Sequence, residues 1–415
     1  MVSIDARSIT RSDDLRGENR RRVLDALRTY GSCSPAQLCE ATGLSSASIS
    51  SLTSQMADQS IVCSARTRSS NGEANRGRPK SMITLDATAG DIVALMLTID
   101  TITVQRVNYA GEVIHSDVTT IDSRSLPEDK LLQIICKAVD SSINNESDIE
   151  ANNRVRHIGV AFQGVTENDS GVLAWSPIIN HTNISLGTVL QNRFQRPVTL
   201  NNDCRLIAEA LSRSSSKQLG SSFAALLFSQ GVGLGLTIDG KPFSGMRTSA
   251  LELGHLCFER NGALCRCGKR GCIEAYAADY GIQRLATGQS IHDDPSGRVA
   301  AQSMVSLYDA AMAGETAAIQ AFAIAGAALG EGLVTLFTLL DPMPVALVGR
   351  KQHTFELMRS GLHSAFRNYP IQGKGIDELL HCFDDAEPLL AAGLVHNTLS
   401  TLDRHFANHG KATKP

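Results

Sequence analysis

At 415 residues the chain exceeds the size of one ordinary hydrophobic core, so two or three domains are expected. With 42% apolar and 20% charged residues, its composition is that of a soluble globular protein. The net charge of −3 argues against attraction of the whole molecule to nucleic acid, but residues 1–80 carry a net +4, which leaves −7 for the rest. A basic head on an acidic body is expected when only the head meets DNA.

Two stretches bear on cellular location. Met1–Arg22 is polar and lacks the apolar segment of a signal peptide. The long apolar stretch Ala317–Leu340 contains Gln320, Glu331 and several glycines, which favours a pair of buried core helices over a membrane span. The sequence therefore predicts a cytoplasmic protein that makes no membrane contact.

Residues 1–63 predict a DNA-reading head built from three helices. A first helix is expected over Glu18–Tyr30, and a second begins after Ser34, where Gln37 completes a capping box. A third helix is capped by Ser45 or Ser46 and buries apolar residues at i, i+3 and i+7. The tight glycine-containing turn before this third helix indicates a helix-turn-helix. A plain helical bundle with a disordered linker is the alternative.

Residues 64–85 are predicted to form a wing and a basic linker, because a polar segment leads to the strand-like Met82–Leu85. The third helix has no Lys or Arg, so its polar side chains supply base contacts and little electrostatic affinity. Flanking arginines must then supply the affinity, which predicts steep salt dependence and an Arg-Gly-Arg arm in the minor groove. The predicted contacts with double-stranded operator DNA are Arg20, Arg21, Arg22, Ser45, Ser46, Ser48, Ser51, Gln55, Arg66, Arg68, Arg76, Arg78 and Lys80.

After residue 85 the pattern is that of an α/β protein with mixed sheets, repeated in two halves, 86–200 and 201–415. Helices are expected over Leu131–Ile143 and Leu186–Phe194. The expected strands are Ile92–Leu97, Thr101–Asn108, His157–Phe162, Val198–Leu200, Ala224–Phe228 and Gly233–Ile238.

The ten cysteines divide into scattered and clustered ones. Six scattered cysteines are interpreted as reduced core thiols: Cys33, Cys39, Cys63, Cys136, Cys204 and Cys382. The other four crowd into sixteen residues, which calls for a chemical reason.

His255, Cys265, Cys267 and Cys272 follow the spacing His-x9-Cys-x-Cys-x4-Cys. One imidazole and three thiolates fit a closed tetrahedral zinc site, so a structural zinc ion is expected. Cys257 is predicted to be a core thiol outside this set. Unmetallated thiols are the alternative.

The run Glu252-Leu253-Gly254-His255, followed by Cys-x-Cys-Gly-x-x-Gly-Cys-x-Glu, resembles the signature of the ROK family, named for repressors, open reading frames and kinases. The resemblance extends to Asn202-Asp203, to Gly231–Gly235 and to Asp239-Gly240-Lys241. The head and the Gly-Arg-Pro after the wing match the repressor branch. The resemblance implies a winged helix-turn-helix followed by a two-lobed actin-like fold of the ribonuclease H-like, sugar-kinase type, with a zinc loop.

The same resemblance implies that a small sugar or amino sugar binds in the cleft between the lobes. The matching residues are Asn202, Asp203, Glu252, His255 and Glu274. Carboxylates and amides offer paired acceptors and donors for vicinal hydroxyls, and a wrong sugar is rejected because it leaves them unpaired. His255 would serve both zinc and sugar, so the folded metal loop preorganises the pocket.

Departures from the family's kinases predict the absence of kinase activity. In those enzymes the aspartate matching Asp203 is the general base, and a glycine-rich loop near the first strand handles the ATP phosphates. The corresponding stretch here, Leu95–Val104, contains no glycine. The further departures are Gln163, Arg205, Leu251 and Arg350.

The leading interpretation is a sugar-gated repressor of carbohydrate genes that works as a homodimer or tetramer. Sugar binding would close the cleft and change the spacing of paired heads, so that they no longer match two half-sites. One alternative is a ROK-type kinase of hexoses or amino sugars that carries a DNA-binding head. The other is a regulator that has lost its sugar and answers to a protein partner.

Overall fold

The computed structural model describes residues 12–65, 82–144, 153–167, 170–245, 248, 251–295, 298–367, 369 and 375–409. Five predicted DNA contacts lie outside these residues: Arg66, Arg68, Arg76, Arg78 and Lys80.

The head consists of three helices and a two-stranded antiparallel sheet. Ser34 and Gln37 form the predicted capping box, and Ser45 caps the third helix by accepting from the Ser48 backbone N–H. The apolar face predicted for the third helix is buried. The elements are α1 (Ser12–Tyr30), α2 (Pro35–Thr42), α3 (Ser46–Asp58), β1 (Val62–Ala65) and β2 (Met82–Leu85).

The first lobe is a five-stranded mixed sheet in the order β5-β4-β3-β6-β9. β3 lies at its centre, antiparallel to β4 and parallel to β6, and all seven β3 residues are buried. The strands are β3 (Asp91–Leu97), β4 (Thr101–Asn108), β5 (Val113–Thr120), β6 (Val155–Phe162) and β9 (Val198–Asn202), with a small pair β7 (Val165–Thr166) and β8 (Leu173–Trp175). Its helices are α4 (Glu128–Ile143) and α5 (Leu186–Phe194).

The second lobe repeats this topology, because its five strands run in the order β12-β11-β10-β13-β14 with the same antiparallel and parallel pairings. The two halves predicted from the strand pattern are therefore present as two sheets. The strands are β10 (Phe223–Phe228), β11 (Val232–Ile238), β12 (Lys241–Pro242), β13 (Val345–Val348) and β14 (Leu380–Phe383).

Helices cover both faces of the second sheet. They are α6 (Asp203–Ser214), α7 (Ser216–Leu219), α8 (Glu274–Ala277), α9 (Asp279–Thr287), α10 (Ala301–Met312), α11 (Thr316–Leu340), α12 (Gln352–Phe366), α13 (Ile376–Leu379) and α14 (Ala386–His409), with a 3-10 turn at Leu253–His255.

Helix α6, which begins at Asp203, lies unusually close to strand β11. A Cβ added to Gly235 would fall 2.1 Å from the Cys204 carbonyl oxygen, so only glycine permits this approach. Gly233 and Gly235 of the run Gly231–Gly235 therefore have a packing role against Cys204 at the start of α6.

The apolar stretch predicted to form two helices is one continuous helix, α11. No turn residue interrupts it, because its glycines lie against neighbouring helices instead of ending it. Among the described residues α11 alone is long and apolar enough to cross a membrane, and half of its most apolar window is buried inside the protein.

Helix α14 returns from the second half of the chain to the first lobe and the head. Leu399, Leu402 and Phe406 of α14 share one hydrophobic core with residues of α1, such as Leu24 and Leu27. The head is thus packed onto the body. The division into residues 1–63, 64–85, 86–200 and 201–415 stays a prediction, although β2 completes the head's sheet and α14 covers the first lobe.

Candidate functional site

The predicted metal ligands come together at the edge of the second lobe. The ligand atoms of His255, Cys265, Cys267 and Cys272 all lie within 4.8 Å of one another. The Cys267 and Cys272 sulfurs are 3.7 Å apart, and the Cys265 sulfur is 3.7 Å from His255 Nδ1. A tetrahedron with metal–sulfur bonds of about 2.3 Å has edges of about 3.8 Å, so the two distances of 3.7 Å are those expected for a tetrahedral zinc site.

Backbone conformation shapes the metal loop. Gly271 has a φ of 78°. A Cβ at this position would meet the Glu259 carbonyl oxygen at 1.7 Å, so glycine is required here. Cys257, which the sequence placed in the core, is exposed, because its strand-like bridge to Cys272 leaves its side chain on the solvent side.

Two groups of this cluster, the His255 imidazole and the Cys267 thiol, have perturbed pKa values. Burial opposes the imidazolium form, but hydrogen bonds that the imidazolium donates to the sulfurs of Cys267 and Cys272 outweigh it and raise the pKa of His255 to about 11. Hydrogen bonds from Cys265 and Cys272 lower the pKa of the Cys267 thiol. These directions favour an imidazolium beside a thiolate, and a divalent cation bound by all four residues would displace the imidazolium proton together with those of the remaining thiols.

The five predicted sugar ligands also come together, around a space that we call the inner pocket. Asn202, Asp203, Glu252, His255 and Glu274 all line it, and it has a volume of about 20 Å³. Residues more than 70 positions apart in the sequence thus meet at one point. About one water molecule would fill this volume, so a sugar ring needs the surrounding side chains or lobes to move apart.

Asp203 is the most perturbed acid of the inner pocket. Its Oδ1 accepts from the Cys204 backbone N–H at 2.8 Å. Burial raises the pKa of Asp203 to about 6, with a further contribution from the charge of Glu252. At pH 7 the carboxylate is present but held at a cost, which suits a group that accepts a hydrogen bond from a ligand hydroxyl.

Asn202 and Glu274 already make contacts within the protein. Asn202 donates to the Gly164 carbonyl at 2.9 Å and accepts from the Arg205 backbone N–H at 3.1 Å. Glu274 is 1% exposed; it accepts from the Tyr280 hydroxyl at 3.2 Å and from the Val232 backbone N–H at 3.2 Å. Glu274 therefore ties the metal loop to β11, and its role toward a sugar stays a prediction.

The glycine-free stretch Leu95–Val104 contains the β3–β4 turn. The Thr98 hydroxyl lies 2.9 Å from the Asp100 carboxylate and 2.7 Å from the Thr101 hydroxyl, so the turn's polar groups bond to one another. Asp100 also forms an ion pair with Arg298 of the second lobe. The turn borders an outer cavity of about 460 Å³, between the lobes and next to the inner pocket.

Two of the departures from the kinase pattern line these spaces. Gln163 borders both the inner pocket and the outer cavity, and Leu251 borders the inner pocket. Arg205 is not among the described residues that line the inner pocket or the outer cavity. Arg350 is buried and donates to Asp279 at 2.5 Å, so its guanidinium is held within the second lobe.

Comparison with known proteins identifies the family of this chain. A model of the ROK family matches residues 102–378, which is about two thirds of the chain. The chain belongs to the ROK family.

Two relatives of this ROK protein are named as regulators. It is 25% identical over 266 residues to the xylose repressor of Caldicellulosiruptor bescii and spans 64% of the length of each chain. It is 22% identical over 358 residues to the DNA-binding transcriptional dual regulator NagC of Escherichia coli strain K12, covering 85% of this chain and 86% of that one.

Solved structures share the fold of this ROK protein. One is a ROK family transcriptional regulator described as a homologue of the E. coli MLC protein, with a TM-score of 0.72, 20% identity, and coverage of 95% and 99% of the two chains. Another is a ROK family glucokinase from Streptomyces griseus in complex with glucose and AMPPNP, with a TM-score of 0.56, 19% identity, and coverage of 74% and 98%. The body therefore has the actin-like, sugar-kinase type of fold.

The described DNA-contact candidates of the ROK protein's head differ in accessibility. Arg21 and Arg22 are exposed and lie near Glu18, at 2.9 and 3.5 Å. Arg20 is 8% exposed and donates to Gln59, so it packs inside the head instead of offering a free charge. The contact of Arg20 with DNA stays a prediction, and it would require this side chain to leave Gln59.

The polar candidates on α3 remain near the surface. Gln55 accepts from Arg16 at 2.6 Å and donates to the Ser51 hydroxyl at 3.2 Å. Ser45 bonds to Ser48 as the helix cap, and Ser46 is exposed near Cys39. Their contact with DNA stays a prediction.

Sequence reasoning missed two features of this site. Trp175, the chain's sole tryptophan, lines the inner pocket, and its ring lies edge-on to His255 at 5.3 Å. The second is a buried ion pair between the head and the body, in which Arg28 of α1 binds both carboxylate oxygens of Asp403 of α14. Neither feature belongs to a local motif, so only a folded chain reveals it.

Proposed function

We propose that this chain is a sugar-responsive transcriptional repressor of genes for carbohydrate uptake or catabolism. The observation that carries the proposal is the inner pocket: five polar side chains suited to sugar hydroxyls surround it, in a chain that also carries a three-helix head with a strand pair. Relatives named xylose repressor and transcriptional regulator support it.

The head is proposed to be a winged helix-turn-helix that binds double-stranded operator DNA. Helix α3 would read base edges in the major groove, and the β1–β2 pair would form the base of the wing. Arg21 and Arg22 of α1 would contact phosphates of the DNA backbone. Two heads of a homodimer or tetramer would bind two half-sites.

A physical connection runs from the inner pocket to the head. Helix α6 begins with Asp203 at the pocket, and near its other end Arg213 donates to Thr29 of α1 at 3.1 Å. Helix α6 also packs along α14, whose Asp403 holds Arg28. A sugar that moves α6 would therefore shift α14 and α1 together, which changes the distance between paired heads.

The metal is proposed to be a structural zinc ion held by His255, Cys265, Cys267 and Cys272. Four protein ligands leave no open position for catalysis. The ion would fix the orientation of His255 at the pocket and the loop that carries Glu274. The protein is proposed to act in the cytoplasm without membrane contact.

Loss of kinase activity is part of the proposal. The β3–β4 turn bonds to itself and offers no glycine for close approach of a phosphate. The alternative, a ROK-type sugar kinase with a DNA-binding head, is favoured by the retained Asp203 beside a cavity of about 460 Å³. Turnover of ATP with a hexose or amino sugar that disappears in Asp203→Asn would support the kinase instead.

The proposed function is tested with purified full-length protein and the DNA upstream of its own gene. Fluorescence anisotropy should show specific binding, and one member of a sugar panel should release the DNA. Failure to bind this DNA would overturn the proposal. Binding that no sugar reverses, together with an unchanged melting temperature across the panel, would favour the regulator that answers to a protein partner, because a ligand at about 100 times its Kd stabilises by about 2.7 kcal/mol.

A further inference from the structure

The outer cavity has no ligand in the proposed function once ATP is excluded. Its volume of about 460 Å³ lies within the range of about 300–1,000 Å³ that is typical of small-molecule sites. It is also far larger than the inner pocket that it adjoins. A cavity of this size next to a ligand site is expected to bind part of the ligand.

The walls of the outer cavity are mainly apolar. Met96 and Leu97 of β3 face it from the first lobe, and Leu227 and Leu390 face it from the second. Met96 and Leu97 are 3% and 2% exposed, so they present a packed apolar surface. Such walls favour an uncharged group, because burial of apolar surface stabilises by about 25 cal/mol per Å².

The charges around the outer cavity disfavour a phosphate. Its ionisable lining residues in the described part of the chain are Asp100, Asp203, Glu387 and Arg298. Arg298 is already paired with Asp100. The two remaining carboxylates would repel a phosphate group, since like charges in a partly enclosed cleft are poorly screened.

The outer cavity and the inner pocket are continuous, because Asp203 and Gln163 line both. A sugar whose hydroxyl reaches Asp203 therefore has its free space on the side of the outer cavity. A substituent on that side of the ring would lie against Met96, Leu97 and Leu390.

We propose that the outer cavity binds an uncharged, apolar substituent carried by the effector sugar, such as an aryl or alkyl group linked through oxygen. The inference rests on the proposed function, since the sugar ring must occupy the inner pocket. The effector is then a glycoside or ether of a sugar and not a sugar phosphate.

Trp175 provides the readout, because it lines the inner pocket and its fluorescence should change when a ligand enters. The full chain is titrated with methyl and phenyl β-xyloside, methyl and phenyl β-glucoside, 6-O-methyl and 6-O-benzyl glucose, glucose, and glucose 6-phosphate. One aryl member should bind about tenfold more tightly than its methyl partner, equivalent to about 1.4 kcal/mol. Glucose 6-phosphate should bind more weakly than glucose.

Two variants assign the effect to the outer cavity. Leu390→Phe narrows it, so the aryl advantage should disappear while the affinity for the methyl partner is kept. Glu387→Lys reverses an exposed charge at the cavity, so the phosphate should gain affinity while the aryl ligand is unaffected. If circular dichroism shows that Leu390→Phe does not fold, Glu387→Lys and the wild-type ligand pairs decide the question.

The outcomes separate this inference from the proposed function. Binding of the methyl ligands with no aryl advantage, or tightest binding of the phosphate, would overturn the inference and leave the repressor proposal intact. No change in fluorescence or melting temperature with any ligand of the panel would overturn the inference, whereas the sugar-responsive part of the proposed function is decided by the DNA-release experiment.

Discussion

His255 joins the metal loop to the inner pocket through the two nitrogens of one ring. Nδ1 faces the thiols, and Nε2 lies 3.3 Å from a carboxylate oxygen of Glu252. A metal-bound histidine whose second nitrogen donates to a carboxylate has a fixed tautomer and orientation. Glu252 is therefore in direct contact with a predicted metal ligand, and loss of the metal would disturb the inner pocket.

Replacement of one ligand tests the metal site. The purified wild-type chain should hold one zinc ion per chain. Cys267→Ser should lose this ion, and its melting temperature should fall because metal binding contributes to folding. Elemental analysis and thermal melting give the two readouts. The matched control is Cys257→Ser, an exposed thiol of the same loop, which should keep both metal and stability. Equal zinc content in the two variants would contradict the assignment.

The raised pKa of Asp203 predicts a pH-dependent affinity for sugar. In the proposed site the Asp203 carboxylate would accept a hydrogen bond from a sugar hydroxyl, and this carboxylate is lost as the pH falls through about 6. Affinity should therefore decrease below pH 6 in the wild type, whereas Asp203→Asn should bind about tenfold more weakly at pH 7.5 and show a flatter profile. Isothermal titration calorimetry between pH 5 and 8 measures this, and a flat wild-type profile would contradict it.

At this scale the sequence correctly predicted that His255 and the three cysteines come together, because Cys265, Cys267 and Cys272 are close in the chain and their chemistry is distinctive. It could not show that both oxygens of Glu274 already have partners. It also misplaced Cys257, which is exposed, because exposure depends on which side of the bridge to Cys272 faces the protein interior.

Among the elements, α1 and α14 form the joint between the head and the body. Arg28 donates to Asp403, and the Tyr109 hydroxyl donates to the same carboxylate at 2.5 Å. The Arg28 guanidinium also lies 4.7 Å from the centre of the Tyr109 ring. All three side chains lie in the interior or close to it, so the joint is specific in orientation.

Breaking this joint should destabilise the protein strongly. Asp403→Asn leaves the Arg28 charge buried without its counter-ion, which costs about 3–5 kcal/mol. Urea unfolding measures the change in the free energy of unfolding. The neighbouring exposed residue provides the control, and Arg404→Gln should change it by less than about 0.5 kcal/mol. A small loss in Asp403→Asn would show that the head is held by apolar packing alone.

His396 of α14 makes the same region sensitive to acid. Burial, together with the charges of Arg213 and Arg28, lowers the pKa of His396 to about 3. The unfolded chain binds a proton at this side chain below about pH 6.5 and the folded chain does not, so stability falls as the pH decreases from 6.5.

Substitution of His396 tests this linkage. His396→Gln should reduce the stability lost between pH 7.5 and pH 5 by about 2 kcal/mol. Exposed His353 supplies the control, since His353→Gln should leave the pH dependence unchanged. Chemical denaturation at both pH values gives the comparison, and equal losses in all three proteins would argue against His396 as the source.

Most elements agree with the strand and helix patterns of the sequence, because apolar runs and caps are local signals. The strand predicted over Ile92–Leu97 is β3, and the capping box at Ser34 is present. The interruption predicted within Ala317–Leu340 was wrong, because glycines that normally weaken a helix are used for close packing in α11. Which helix packs on which sheet depends on tertiary contacts that local patterns do not contain.

For the whole molecule, the uneven charge predicts how operator binding responds to salt. Arg21 and Arg22 are exposed on the head, and each phosphate contact releases counter-ions. Arg21→Ala with Arg22→Ala should weaken binding to all DNA sequences and make the slope of log K against log salt shallower by about one per lost contact. Fluorescence anisotropy between 50 and 300 mM salt measures the slope. An exposed arginine of the body, Arg260, is the control, and an equal effect of Arg260→Ala would contradict a role of the head.

The packing of α14 against α1 has a consequence for biosynthesis. Arg28 and Asp403 are 375 positions apart, so α14, the helix on which the head packs, is among the last described segments to leave the ribosome. Until then the apolar residues Leu24 and Leu27 lack part of their cover. Long-range contacts of this kind form late and slowly, which leaves a nascent chain open to association with chaperones. A newly made molecule would thus reach its operator-binding form only after translation of both lobes. Premature termination before α14 would yield a head that lacks its contacts with the body.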